Sequence, residues 1–178
     1  MMLEPETQKN DLEKWEDWKD KESGQRGLTA GSDALKALTF WLADEEYAID
    51  ISVIEEITRP MIVTTVPRVP SYIKGIINLR GKVIPVLNIH VRMGLASFKP
   101  GSKNRFIICR SDQAEVGIIA DRVTDVVSLE KYQMEPPPEK IATFGSGFIK
   151  NIGRVKERIL IVLDMDKILR VDHGETAS

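Results

Sequence analysis

The spacing nearest to a nucleotide-binding motif is Gly75 followed by Gly81-Lys82. A phosphate loop sets four residues between its glycines, follows its Lys with Ser or Thr, and opens a helix whose N-terminus receives the phosphate. Here five residues separate the glycines, Val83 follows the Lys, and both flanks read as strand. Gly145-Ser146-Gly147 resembles a nucleophile turn only in composition, since a nucleophile elbow needs Gly-x-Ser-x-Gly. His90 and His173 are the two imidazoles; His90 has no Cys or second His at ligand spacing, and His173 sits in a polar tail. Cys109 is the single cysteine, so neither an intrachain disulfide nor a thiolate cage can form. Within Phe106-Ile107-Ile108-Cys109 it reads as a small buried hydrophobe. Glu55 and Glu56 are adjacent on a strand and would point to opposite faces, which is no arrangement for a carboxylate dyad. Asp164 and Asp166 straddle the start of the last helix, where its dipole favours negative charge. These residues predict no enzyme, no metal and no cofactor.

Protein contacts are the chemistry left, and one hairpin offers them. Gly75-Ile76-Ile77-Asn78-Leu79, the turn Arg80-Gly81-Lys82, and Val83-Ile84-Pro85-Val86-Leu87 read as two strands around a turn. Alternation sets Asn78, Arg80 and Lys82 on one face, away from Ile77, Leu79 and Val83. A glycine turn fixes where Arg80 projects, and a guanidinium suits a carboxylate on a partner helix. The same pattern also describes a solvated face over a buried one, so the residues alone leave both readings open.

The elements around this hairpin are also strands. Leu38–Leu42 and Tyr47–Ile51 flank the acidic turn Asp44-Glu45-Glu46, and Ile54-Glu55-Glu56-Ile57 continues to a stop at Arg59-Pro60. Pro67 and Pro70 forbid a regular central strand between them. Asn88 is placed to cap a short helix ending near Met93 and Gly94. The plan then recurs. Tyr47-Ala48-Ile49 with Ile54-Glu55-Glu56-Ile57 parallels Val116-Gly117-Ile118 with Val123-Thr124-Asp125-Val126. Gly75-Ile76-Ile77 parallels Gly147-Phe148-Ile149, and Ile84-Pro85-Val86-Leu87-Asn88 parallels Leu160-Ile161-Val162-Leu163-Asp164. Three matches in one order point to duplication and to two small barrels, about 35–95 and about 96–172. Glu135-Pro136-Pro137-Pro138 is a stiff extended loop within the second half.

With 178 residues, 42% hydrophobic, 29% charged and a net charge of −2, the chain has no long-range field for a polyanion, and no nucleic acid is expected. Residues 1–34 are polar and read as mostly disordered, apart from a short amphipathic turn at Leu12, Trp15, Trp18 and Lys19. Residues 173–178 read as a flexible tail. The N-terminus lacks a basic region followed by an apolar one, and no apolar run reaches membrane-spanning length, so no signal peptide and no membrane insertion are expected. The expected location is cytoplasmic.

The run from Val66-Pro67-Arg68-Val69-Pro70 through Asn78-Leu79-Arg80-Gly81-Lys82-Val83-Ile84-Pro85-Val86 resembles the signature of the CheW family of chemotaxis coupling proteins. Asp44-Glu45-Glu46-Tyr47-Ala48-Ile49-Asp50-Ile51 and Ile54-Glu55-Glu56-Ile57 are similar to that family's opening. The likeness runs from about Leu35 to Arg170. It implies an all-β fold of two SH3-like five-stranded barrels with short connecting helices, packed through a hydrophobic interface. It also implies a non-catalytic adaptor between the cytoplasmic tip of methyl-accepting chemotaxis receptors and the regulatory domain of the CheA histidine kinase, recruited to membrane arrays through those partners. Carried over residue by residue, the receptor contact falls on Arg80, with Gly75, Asn78 and Gly81, and the kinase contact on Ile54, Glu56 and Ile57. Asn88 departs from the pattern, standing where many relatives have Asp, and the Trp-bearing extension lies outside it. The alternatives are a CheW-like scaffold for another receptor–kinase pathway, or a barrel enzyme or nucleic-acid-binding barrel.

Overall fold

A computed structural model describes residues 33–112, 114–144 and 147–171, together with Leu12, Trp15 and Glu16. The chain divides into two compact units, Met1–Asp33 and Ala34–Ser178. In the first, Leu12, Trp15 and Glu16 are helical and Trp15 is buried. Trp18, Lys19 and the tail 173–178 lie outside the described residues, and so does nearly all of the segment expected to be disordered.

The second unit contains the described strands. In chain order they are β1 (Leu35–Leu42), β2 (Glu45–Asp50), β3 (Ile54–Thr58), β4 (Ile73–Leu79) and β5 (Lys82–Leu87), followed by helix α1 (Ile89–Met93). Then come β6 (Arg105–Arg110), β7 (Glu115–Ala120), β8 (Arg122–Leu129), β9 (Met134–Glu135), helix α2 (Glu139–Phe144), β10 (Ile149–Val155), β11 (Arg158–Leu163) and helix α3 (Met165–Ile168). They form a six-stranded sheet, β8-β1-β2-β11-β10-β9, and a five-stranded sheet, β3-β6-β7-β5-β4. The all-β, two-barrel expectation holds, with the two-residue β9 as a sixth strand in one of them.

The expected boundary near residue 95 does not hold. β1 and β2 come from the first half but pair with β8 and β11 of the second. β6 and β7 come from the second half but pair with β3 and β5 of the first. The crossing is made at two connections. The 3₁₀ turn Ile51–Val53 joins β2 to β3, and Asp121 alone joins β7 to β8. At both the chain runs on into the other barrel instead of reversing beside its own hairpin. Each barrel is therefore built from both halves.

The duplication itself is present, with one change of register. Ala48 faces Val162 as Gly117 faces Val86. Glu55 is the extra residue of a bulge between β3 and β6, as Thr124 is between β8 and β1. In the later hairpins Lys74 and Lys150 are the extra residues, so Gly75 matches Asn151 and not Gly147.

Each barrel has its own core, Ile77, Ile84, Val86, Phe106, Ile108 and Ile119 in one, and Ala37, Ala48, Leu129, Leu160 and Val162 in the other. Strands alternate their side chains, so Leu38, Phe40 and Ile49 point away from the core that Ala37 and Ala48 enter, yet they too are buried. Ile107 and Cys109 behave likewise on β6. These exchanged hairpins are apolar on both faces because one face lines a barrel and the other lies between barrels, where β1 meets β7. Full burial of each Leu, Ile or Phe contributes about 1.5–3 kcal/mol, which makes the hairpins the main adhesive of the unit.

Candidate functional site: the Arg80 hairpin and its neighbours

The β4–β5 hairpin turns through two residues, Arg80 at φ 52° and Gly81 at φ 84°. Two successive positive φ angles match the twist of the flanking strands. Glycine takes this conformation freely, and Arg80 takes it at a cost of about 1–2 kcal/mol. The Gly81 N–H donates to Asn78 Oδ1 at 2.9 Å, so the Asn78 side chain closes the turn. Leu79 packs toward the core, which leaves Arg80 to project outward with its side chain 76% exposed.

Arg80 is nonetheless held. Its Nη2 donates to Glu56 Oε1 at 2.7 Å, across to β3. Thus the structure joins one residue expected at the receptor contact to one expected at the kinase contact. Glu56 is in place because of the bulge at Glu55. In a regular strand Ile54 and Ile57 would face opposite ways; the extra residue resets the phase and turns both to the buried face of their partners Cys109 and Ile107, between the barrels. A series of opposite charges continues from the bulge. Glu55 meets Arg110 at 2.8 Å, Arg110 lies 4.0 Å from Glu115, and Glu115 meets Lys82 at 3.1 Å. Each exposed pair contributes about 0–1 kcal/mol, so the series orients side chains more than it stabilises the fold. Beside it a cleft of about 580 Å³ opens where β5 and β7 diverge, lined by Lys82, Val83, Pro85, Arg110, Asp112 and Glu115.

Several expected residues have other roles. Gly75 is buried, and a Cβ there would lie 2.2 Å from the Thr64 carbonyl oxygen. Its absence lets Thr64 and Ile76 exchange backbone hydrogen bonds of 2.8 and 2.9 Å. Ile54 and Ile57 are only 8% and 5% exposed, so their side chains are packing residues and not a contact surface. Val83 belongs with Asn78, its cross-strand partner, and is 66% exposed. A two-residue turn sets that register, which moves Val83 to the face opposite the expected one.

Of the residues weighed for catalysis, Gly145, Ser146 and His173 lie outside the described residues, and His90, Cys109 and Asp164 are engaged structurally. His90 is buried, with Nε2 3.1 Å from Asp121 Oδ1, and Asp121 Oδ2 accepts from the Ala43 N–H at 2.7 Å. Burial pushes the Cys109 thiol up to about 12, which keeps it protonated and unreactive at neutral pH. Asn88 and Asp164 cap α1 and α3 by accepting from the Val91 and Lys167 N–H groups. No group of three or more His, Cys, Asp or Glu placed to hold a metal occurs among the described residues. No helix among them is long and apolar enough to cross a membrane.

Sequence reasoning missed a half-buried pair in the other barrel. Arg158 donates through Nε and Nη2 to Glu46 at 3.2 and 2.5 Å, and those bonds hold its guanidinium still more firmly protonated. Lys82–Glu115 occupies the matching place in the five-stranded barrel, since Arg158 and Lys82 each open the second strand of a later hairpin. The alignment of the two halves held that signal, because charges of the same sign recur at both pairs of positions.

Comparison with known proteins agrees with this architecture. Residues 36–173 match the model of the CheW-like domain. The chain is 35% identical to the chemotaxis protein CheW of Klebsiella aerogenes, over 80% of this chain and 84% of that one. It is 31% identical to CheW of Helicobacter pylori, over 83% of this chain and 93% of that protein. In three dimensions it is similar to the scaffolding protein TtCheW of Thermoanaerobacter tengcongensis, with a TM-score of 0.73 and 31% identity over 80% of this chain and 97% of that one. Two barrels built from exchanged hairpins, a matched domain over most of the chain and relatives of this identity place it together: the chain belongs to the CheW family of chemotaxis scaffold proteins.

Proposed function

We propose that this protein is a non-catalytic adaptor coupling the cytoplasmic tip of methyl-accepting chemotaxis receptors to the regulatory domain of a CheA-type histidine kinase. In this reading it lies in the cytoplasm and joins the membrane array through its partners. The observation that carries the proposal is the Arg80–Glu56 pair. Arg80 stands 76% exposed on a turn that Asn78 and Gly81 hold, and Glu56 takes one of its five donors. The remaining donors form a fork suited to carboxylates on a receptor helix. Glu56 lies on β3, an edge strand of its sheet, which supports β3 as the surface offered to the kinase. Ile54 and Ile57 support that strand from its buried face between the barrels, and Gly75 supports the hairpin from behind. Receptor and kinase would then meet adjacent parts of one barrel, and a change at the receptor contact reaches the kinase contact through a single ion pair.

Reconstitution of kinase activity with receptor tip, kinase and this protein tests the reading. Arg80→Ala is expected to lower receptor-dependent kinase activity about tenfold or more while the melting temperature stays within a few degrees. Unchanged activation by a folded variant would refute the assignment of Arg80.

A further inference from the structure

The two barrels are related by the duplication, and the elements next to that relation are α1 and α3 with the residues leading into β4 and β10. Tyr72 and Phe148 are counterparts: Tyr72 O accepts from the Asn88 N–H at 2.7 Å, and Phe148 O accepts from the Asp164 N–H at 2.8 Å. One helical turn beyond the caps, Arg92 N bonds to Asn88 O and Ile168 N bonds to Asp164 O, which makes Arg92 and Ile168 counterparts too. Here the duplication is broken. Ile168 is fully buried. Arg92 instead reaches across to the other half, where its Nη2 donates to Arg170 O at 2.7 Å and to Lys167 O at 3.4 Å. Lys167 O lies in the last turn of α3, where helices leave acceptors unpaired, and Arg170 O lies two residues beyond its end. The guanidinium also lies 4.0 Å from the centroid of Tyr72 and 5.2 Å from that of Phe148, one ring from each half. A cation between two matching rings, donating to the far helix, ties the five-stranded barrel to the six-stranded one at a single side chain.

We propose that Arg92 is the positioning residue that fixes the angle between the two barrels, and with it how the six-stranded barrel stands relative to the Arg80–Glu56 surface. The first half of this statement rests on geometry alone, and its bearing on coupling rests on the adaptor reading. Apolar packing between exchanged hairpins resists separation, but packed surfaces slide more readily than a forked, ring-stacked cation can turn. Arg92 supplies direction, beside the His90–Asp121–Ala43 link, where the interface supplies adhesion.

Spin labels at Val83→Cys and Ile159→Cys, exposed positions on different barrels, report the angle as a distance distribution by pulsed electron resonance. Cys109 is fully buried and stays unlabelled. With Arg92 present the expected distribution is single and narrow. Arg92→Met keeps the stem between the rings but removes the donors, and is expected to at least double the width or shift the mean. Arg92→Lys, which still offers a cation to the rings and to Arg170 O, restores a narrow distribution. Phe148→Leu, which removes one ring and leaves the donors, gives a smaller broadening and serves if Arg92→Met does not fold. An unchanged distribution in folded Arg92→Met, or in Phe148→Leu where the Met variant fails to fold, overturns the proposal. In the reconstituted kinase assay Arg92→Met is expected to lose coupling several-fold with receptor-tip affinity unchanged. Retained coupling with a broadened distribution refutes the functional half and leaves the adaptor reading standing, because that reading fails through Arg80.

Discussion

At the scale of single residues, the distinction that matters is between side chains that meet a partner and side chains that hold those in place. In the proposed reading Arg80 is of the first kind. Asn78 and Gly81 are of the second, joined by a 2.9 Å hydrogen bond that fixes the turn. Ile57 is also of the second kind. It is 5% exposed, and Ile57→Asp would bury a charge with no partner supplied for it. The expected result is destabilisation on the order of 4 kcal/mol, read as a collapse of the thermal transition before any loss of partner binding can be measured. A folded Ile57→Asp that had lost only kinase affinity would show that the side chain faces outward. The motif made Arg80 legible, because the turn chemistry of Arg-Gly is local. The inward turn of Ile54 and Ile57 was hidden, because it depends on a bulge that only pairing with β6 defines.

At the scale of elements, hairpins and caps were legible and pairing partners were not. Asn88, Met93 and Gly94 bound α1 as the sequence predicts, with Gly94 left-handed at φ 69°. Pro67 and Pro70 do interrupt regular structure, and residues 59–72 contribute to the sheet only through the Thr64–Ile76 bridge. That bridge gives Gly75 its role. Gly75→Ala would set a methyl 2.2 Å from the Thr64 carbonyl oxygen, and the expected cost is about 2 kcal/mol or more. Chemical denaturation measures it, and amide exchange at Thr64 and Ile76 should accelerate first. An Ala variant of unaltered stability would mean that the 62–64 segment is free to move aside. Residue type pairs Gly75 with Gly147 in the later hairpin, but the bulges at Lys74 and Lys150 set the register and pair Gly75 with Asn151.

At the scale of the whole molecule, the exchange of hairpins decides what can fold alone. Alternation and repeats reveal how many strands there are, but strand order across barrels depends on connections as short as Asp121, whose effect is global. Residues 1–95 carry β1 and β2 without β8 and β11, and β3 without β6. Neither 1–95 nor 96–178 is therefore expected to show a cooperative thermal transition alone, while an equimolar mixture should regain one. Two fragments that each melt cooperatively would contradict the exchanged topology. The same intertwining explains how a unit of this size keeps two barrels in one orientation, with the apolar hairpins as adhesive and Arg92 as the directional contact.

The central claim is that the Arg80 guanidinium, presented by Glu56 and the Asn78–Gly81 turn, is the receptor contact. The direct measurement is the affinity of the purified protein for the receptor tip, compared with Arg80→Glu. A loss of about a hundredfold or more, with circular dichroism and melting temperature preserved, is predicted, because the replacement sets like charge against the receptor carboxylates. An affinity within about twofold of the original in a folded Arg80→Glu protein would contradict the account.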